Sequence, residues 1–152
     1  MNRTLVDRKV KNYDGELWRK KMVTKSSLNM YSRYKIIVKE EAVYDNRNSS
    51  ALLFQARTNS LNLNIEKRHQ NGDTACSLCK QEAEDAFHFI FSCVSLKKKR
   101  DTTLLNECKG GNRVDSLGVL LFEVKDMERV KRLLHNLWQY RHRLLKSLKD
   151  SR

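Results

Sequence analysis

The most regular alternation of apolar and polar positions lies toward the C-terminus. Val130, Leu134, Leu137, Leu144 and Leu148 recur near one face at helical spacing, widened by Met127, Leu133, Trp138 and Leu145. Arg129, Lys131, Arg132, Arg143, Lys146 and Lys149 fall mostly elsewhere around the turn, so the pattern predicts a long amphipathic helix opened by Asp126. Before it, Asp115 or Ser116 is placed to cap a short apolar helix through Leu117, Leu120, Leu121 and Phe122. Val94 to Lys109 reads as a basic helix stopped by Gly110 and Gly111. The polar run 45–50 predicts a turn, with Ser49 or Ser50 capping a helix over 51–58. At the N-terminus, Leu5, Val6 and Val10 stand in charged surroundings. Leu17, Trp18 and Met22 follow Asp14-Gly15-Glu16, and together these predict two short helices. The stretch 34–41 is either helix or strand, because Ile36, Ile37 and Val38 are β-branched. Residues 68–74 form a polar loop.

Composition sharpens this into a fold class. Proline is absent and there are only five glycines, which removes the usual helix breakers and starves an all-β fold of tight turns. The expected architecture is mainly α. It is a small helical domain with a CCHC zinc knuckle inserted between helices: a basic helical part over 1–75, the knuckle over 76–93, and basic helices over 94–152. A hydrophobic content of 39% is too high for a wholly disordered polycation. The net charge of +13 divides as +6, +3 and +4 over residues 1–50, 51–100 and 101–152, so no acidic part neutralises a basic one. Such a chain is expected to seek polyanions. No apolar run reaches the roughly 18 residues a membrane-spanning helix needs. The first residues lack the apolar core of a secretory signal. The expected location is intracellular, in the nucleus, with no membrane partner.

The chemistry concentrates between residues 76 and 93. Cys76-Ser-Leu-Cys79, His88 and Cys93 read Cys-x2-Cys-x8-His-x4-Cys. Two cysteines separated by two residues wrap a tight turn that aims both sulfurs at one point, the usual first half of a structural Zn2+ site. Asp85 to Phe91 spans one or two helical turns, which puts His88 on a helix and Cys93 just past its end. Three thiolates and an imidazole fill a tetrahedron and leave no position for water, so the expected metal is structural. The bland reading is that Cys76 and Cys79 are incidental free thiols and His88 a packed histidine; three clustered cysteines plus remote Cys108 fit a secreted disulfide framework poorly. Cys108 is expected to be a small apolar helix residue, and His69 is an alternative ligand in a polar loop. Phe87, Phe89, Ile90 and Phe91 are expected to pack the knuckle on the 51–58 helix, with base stacking as the alternative.

The basic runs are Arg19-Lys20-Lys21, Lys97-Lys98-Lys99-Arg100 and Arg129-Val130-Lys131-Arg132, joined by Lys67 and Arg68 beside the polar loop. Any one run is ordinarily a solvated helix face. Recurrence of the excess along the chain favours contact with RNA or DNA by at least one of them. A protein-interaction adaptor using the face from Met127 to Leu148 is the alternative. An enzyme finds little support, since the tight cluster of Cys and His is spent on a closed metal site.

Further residues carry a resemblance. Ser27-Leu-Asn-Met-Tyr31, Tyr44-Asp-Asn46, Leu53-Phe-Gln-Ala-Arg-Thr-Asn-Ser-Leu61, Arg68-His69, the Cys76/Cys79 pair, Glu84-Asp85, His88-Phe89 and Cys93 resemble a zinc-binding region. It is the region that follows the reverse transcriptase of non-long-terminal-repeat (LINE-type) retrotransposons. The resemblance covers roughly residues 16 to 100. It implies Cys76, Cys79, His88 and Cys93 as ligands, Arg57 as a phosphate contact, and a role gripping template RNA or target DNA beside a reverse transcriptase polypeptide. The chain departs from the whole retrotransposon protein in having no adjacent aspartates, hence no polymerase carboxylate pair, and no Pro-Asp endonuclease signature. No catalysis is expected. The expectation is an excised piece of a larger protein or a free-standing derivative that kept binding.

Overall fold

The computed structural model describes residues 3–35, 37 and 39–152; among them the chain is mainly helical, with an isolated bridge between Ala75 and Ala83 as its extended pairing. The α-helices are α1 (Arg3–Val23), α2 (Asn29–Tyr34), α3 (Asn48–Arg57), α4 (Thr102–Glu107), α5 (Arg113–Gly118) and α6 (Met127–Asp150). Short 3-10 stretches run over Ser26–Leu28, Asn64–Gln70 and Val94–Lys99, and wide π-helical turns over His88–Ser92 and Val119–Glu123.

The spine is α6. Asp126 accepts the Arg129 N–H at 3.0 Å, satisfying one of the donors a helix start leaves unpaired. Val130, Leu133, Leu134 and Leu137 are buried against α3, the 94–99 turn and both π turns. Each such leucine contributes about 1.5–3 kcal/mol through area removed from water. The apolar stripe outruns the core: Leu144 and Leu145 are half-buried and Leu148 is 47% exposed. On the facing helix α3, Leu52, Leu53 and Ala56 fill the same core. α3 stops because Asn59 turns left-handed (φ 50°), sending the Ser60 N–H to Gln55 O and the Asn59 N–H to Ala56 O.

Several expected elements come out differently. The two N-terminal helices are one, since a single Gly15 costs a helix only about 1 kcal/mol and no proline breaks it. The basic helix expected over 94–109 is a 3-10 turn and a separate α4. The backbone opens at Arg100 (ψ 138°) so that Asp101 can accept the Leu104 N–H at 3.0 Å. Neither Ser49 nor Ser50 caps α3; Ser50 donates instead to Asp45 Oδ1 at 2.7 Å. Asn112 caps α5 in place of Asp115 or Ser116, accepting the Asp115 N–H at 2.9 Å. In the stretch read as helix or strand, residues 35, 37 and 39–41 are in neither, while Ile36 and Val38 lie outside the described residues.

The two π turns share a device. Each closes with an i→i+5 bond, Cys93 N–H to His88 O (2.8 Å) and Val124 N–H to Val119 O (3.2 Å). At the third residue of each, a buried carbonyl accepts an arginine: Arg100 Nε donates to Ile90 O and Arg57 Nε to Leu121 O, both at 2.7 Å. Carbonyls at such helix ends lack an intrahelical donor, and in a dry core a side chain must supply one. Next to the second turn the Tyr34 ring stacks on Phe122 at 4.5 Å, with its hydroxyl against Gly118, where any Cβ would collide.

Candidate metal centre

Four side chains from three short segments converge. A tight turn presents Cys76 and Cys79: the Lys80 N–H returns to Cys76 O at 2.9 Å, and Lys80 takes a left-handed conformation (φ 60°). The arms of this turn are held by Cys76 N–H to Glu82 O (2.8 Å) and Glu84 N–H to Thr74 O (2.9 Å). Asp85 accepts the His88 N–H at 2.7 Å and starts the helical stretch that carries the imidazole. The π turn then closes the x4 spacing, because its i→i+5 bond brings Cys93 back beside His88.

The donor atoms of Cys76, Cys79, His88 and Cys93 all lie within 4.8 Å of one another. Cys76 Sγ is 3.8 Å from Cys93 Sγ, and Cys79 Sγ is 3.3 Å from His88 Nε2. Two thiolates at opposite ends of a tetrahedral edge, each about 2.3 Å from a central ion, stand roughly 3.8 Å apart. The donor set therefore fits a metal ion. Burial is nearly complete, with Cys76, His88 and Cys93 at 1%, 2% and 0% exposure. The Cys93 hydrogen bond holds the Cys76 thiol below its ordinary value, and the same bond with burial pushes Cys93 up. Metal binding to such a set must displace the protons its thiols carry.

The surrounding groups orient the ligands. His88 Nδ1 is buried without a hydrogen-bond partner and faces Glu82 Oε2 at 3.6 Å, so the ring presents Nε2 to the sulfurs. Arg113 steadies that carboxylate at 3.2 Å and covers the Phe87 ring at 4.5 Å. Behind Cys76 lies Glu84, its Oε1 4.0 Å from the sulfur and both oxygens bound by Arg141 of α6. Asn64 closes the back, giving its backbone N–H to Glu84 and its side-chain amide to Ala75 O and Ser77 Oγ. Glu82, Glu84 and Arg141 were not visible as site residues in the sequence. The available signal was Arg141 itself, which falls on the apolar stripe of α6 behind Leu134 and Leu137, where an unpaired charge is not tolerated.

His69 is exposed on the 64–70 turn and is not one of the clustered ligands. Cys108 is 1% exposed and packs in the core just beyond α4. Of the aromatic group, Phe89 stands edge-on to Trp138 of α6, and Phe87 and Phe91 stack on each other at 4.8 Å.

The cations separate into spent and unspent. Arg57, read as a phosphate contact, is a core residue. It is 2% exposed and donates to Leu121 O, Glu41 and Tyr44, which corrects that reading. Lys131 is corrected likewise: it is buried and its Nζ is shared among Val43 O, Ser50, Asp45 and Glu128. Arg129 is held in a two-pronged pair with Asp101, and Arg100 is committed to Ile90 O. Lys67, Arg68, Lys97, Lys98, Lys99 and Arg132 remain exposed. No family model, no curated protein and no solved structure matches the chain.

Proposed function

We propose that the chain is a zinc-ordered nucleic-acid-binding module, of the kind found after LINE-type reverse transcriptases, which grips RNA or DNA through its phosphates. The observation that carries the reading is the closed Cys3His cluster inside a chain of net charge +13. Cys76, Cys79, His88 and Cys93 would hold Zn2+, whose contribution is to order the knuckle. Four such donors complete a tetrahedron around an ion, so the proposed role is binding without chemistry.

One surface supports this reading best. Lys99 of the 94–99 turn and Arg143 of α6 both stand over the Tyr140 ring, at 5.6 and 5.7 Å from its centre. The basic turn and the solvent face of α6 therefore adjoin. Lys99 and Arg143 are exposed beside this half-buried tyrosine, Lys97 and Lys98 are exposed on the same basic turn and Lys146 one turn of α6 beyond Arg143, an arrangement suited to a single strand whose phosphates meet these cations. The adaptor reading loses ground, because α6 spends Val130, Leu134 and Leu137 on this chain's own core.

Metal content and binding test the proposal together. The purified chain should carry about one zinc, and Cys79→Ser should lose both the metal and the order of residues 74–93. Affinity for single-stranded RNA and for duplex DNA, titrated at two salt concentrations, should fall with a log–log slope of about −0.7 to −0.9 per phosphate neutralised. An affinity indifferent to salt, or a melting curve unchanged by chelation, would overturn the reading.

A further inference from the structure

Helix α1 carries an apolar seam that the rest of the chain leaves uncovered. Val6, Val10, Tyr13 and Leu17 follow at spacings of four, three and four, which confines them to about 60° of arc at roughly 100° per residue. Their exposures are 40%, 52%, 67% and 39%. The covered side of the helix is another one. α1 packs on α2 and on the turn at 26–28, where Met22 is buried and Trp18 half-buried, about 130° around the helix from the seam.

The charges beside the seam identify its occupant. With Val10 and Leu17 at heptad positions a, and Val6 and Tyr13 at d, Lys9 and Glu16 fall at g while Asp14 and Lys21 fall at e. All four are exposed, and none takes part in an ion pair among the described residues. In a parallel pair of helices each g side chain meets the e side chain of the next heptad on the other strand. Lys9 then faces Asp14, Glu16 faces Lys21, and two-fold symmetry repeats both attractions. An antiparallel pair with Val10 against Tyr13 keeps a Lys9–Glu16 attraction but sets Asp7 against Asp14, so its flanking charges offset where those of the parallel pair all attract. We propose that α1 joins a second copy of the chain in a parallel two-stranded coiled coil through Val6, Val10, Tyr13 and Leu17. The seam is two heptads long, at the small end of specific interfaces, so the dimer forms and disperses with concentration.

Sedimentation velocity on the metal-loaded chain, without nucleic acid and over about a hundredfold range of concentration, tests this. The wild-type chain shifts from monomer to dimer. Val10→Glu stays monomeric throughout. Lys9→Glu and Asp14→Lys each weaken the dimer about tenfold, by turning two attractions into repulsions. The double variant Lys9→Glu/Asp14→Lys, with the wild-type net charge, recovers the wild-type midpoint. Because all three positions are exposed, the monomer fold is unaffected, and helix content by circular dichroism checks it. A wild-type monomer at every concentration, a dimer indifferent to Val10→Glu, or a double variant as weak as the singles overturns the proposal. None of these outcomes bears on nucleic-acid binding, which rests on other residues.

Discussion

Arg141 of α6 grips both carboxylate oxygens of Glu84, Nε to Oε1 at 2.7 Å and the other nitrogen to Oε2 at 2.8 Å, with both side chains buried. Since Glu84 also accepts the Asn64 N–H and stands behind Cys76, this one pair ties the long helix, the 64–70 turn and the Cys/His cluster together.

The first prediction follows from its burial. Arg141→Met leaves a carboxylate uncompensated in the core and should cost about 3–5 kcal/mol in urea unfolding. Adding Glu84→Gln should return part of that loss, because the stranded charge is gone. Costs that simply sum would show that the two side chains do not act as a pair.

Arg57 should behave as a structural residue. Arg57→Ala strips a donor from the buried Leu121 carbonyl and a partner from Glu41, so a loss of about 3 kcal/mol or more is expected. The salt slope of RNA binding should stay at its wild-type value. Arg143→Ala and Lys146→Ala should do the opposite, lowering the slope by about one unit each while unfolding moves within roughly 0.5 kcal/mol.

Acid should reveal the Glu41 link. Burial works against its charge, yet Lys35 and Arg57 hold the carboxyl below its usual 4.5. The unfolded chain therefore binds the proton first on acidification. The stabilisation is complete above about pH 4.5 and is lost as pH falls through the folded value. Glu41→Gln should flatten stability against pH in that acidic window and change nothing in the slope near neutrality.

At the tip of the knuckle, Lys80 sits left-handed at φ 60°, a conformation that costs a side-chain-bearing residue about 1 kcal/mol. Lys80→Gly should raise stability by roughly that amount and leave metal stoichiometry intact. A loss of metal would mean that the lysine charge, and not the turn, supports the site.

How much was legible beforehand depends on range. α6 was read from periodicity because its buried residues recur within one element, and Asp126 caps it in the expected way. The ligand set was equally local, spanning eighteen positions with the turn-forming Cys-x2-Cys at its head. The break at Arg100 was not, since it is set by two distant groups: Ile90 O, which takes Arg100, and Arg129, which holds Asp101. The misplaced caps at Ser50 and Ser116 have the same origin, for each hydroxyl found a better partner outside the helix start it was expected to cap.

The amino-acid sequence by itself determined the helical class, through the lack of proline and the scarcity of glycine, and the four side chains that converge as candidate ligands. Tertiary structure alone decided which charges are spent. Arg57 and Lys131 look like any other basic residues along the chain, and Arg141 stands out only by its place on the apolar stripe, yet each lies in the core against a carbonyl or carboxylate that is remote in sequence. Burial is a property of the packed whole. A cation is available to a partner only where the fold has not already required it to satisfy an oxygen shut away from water.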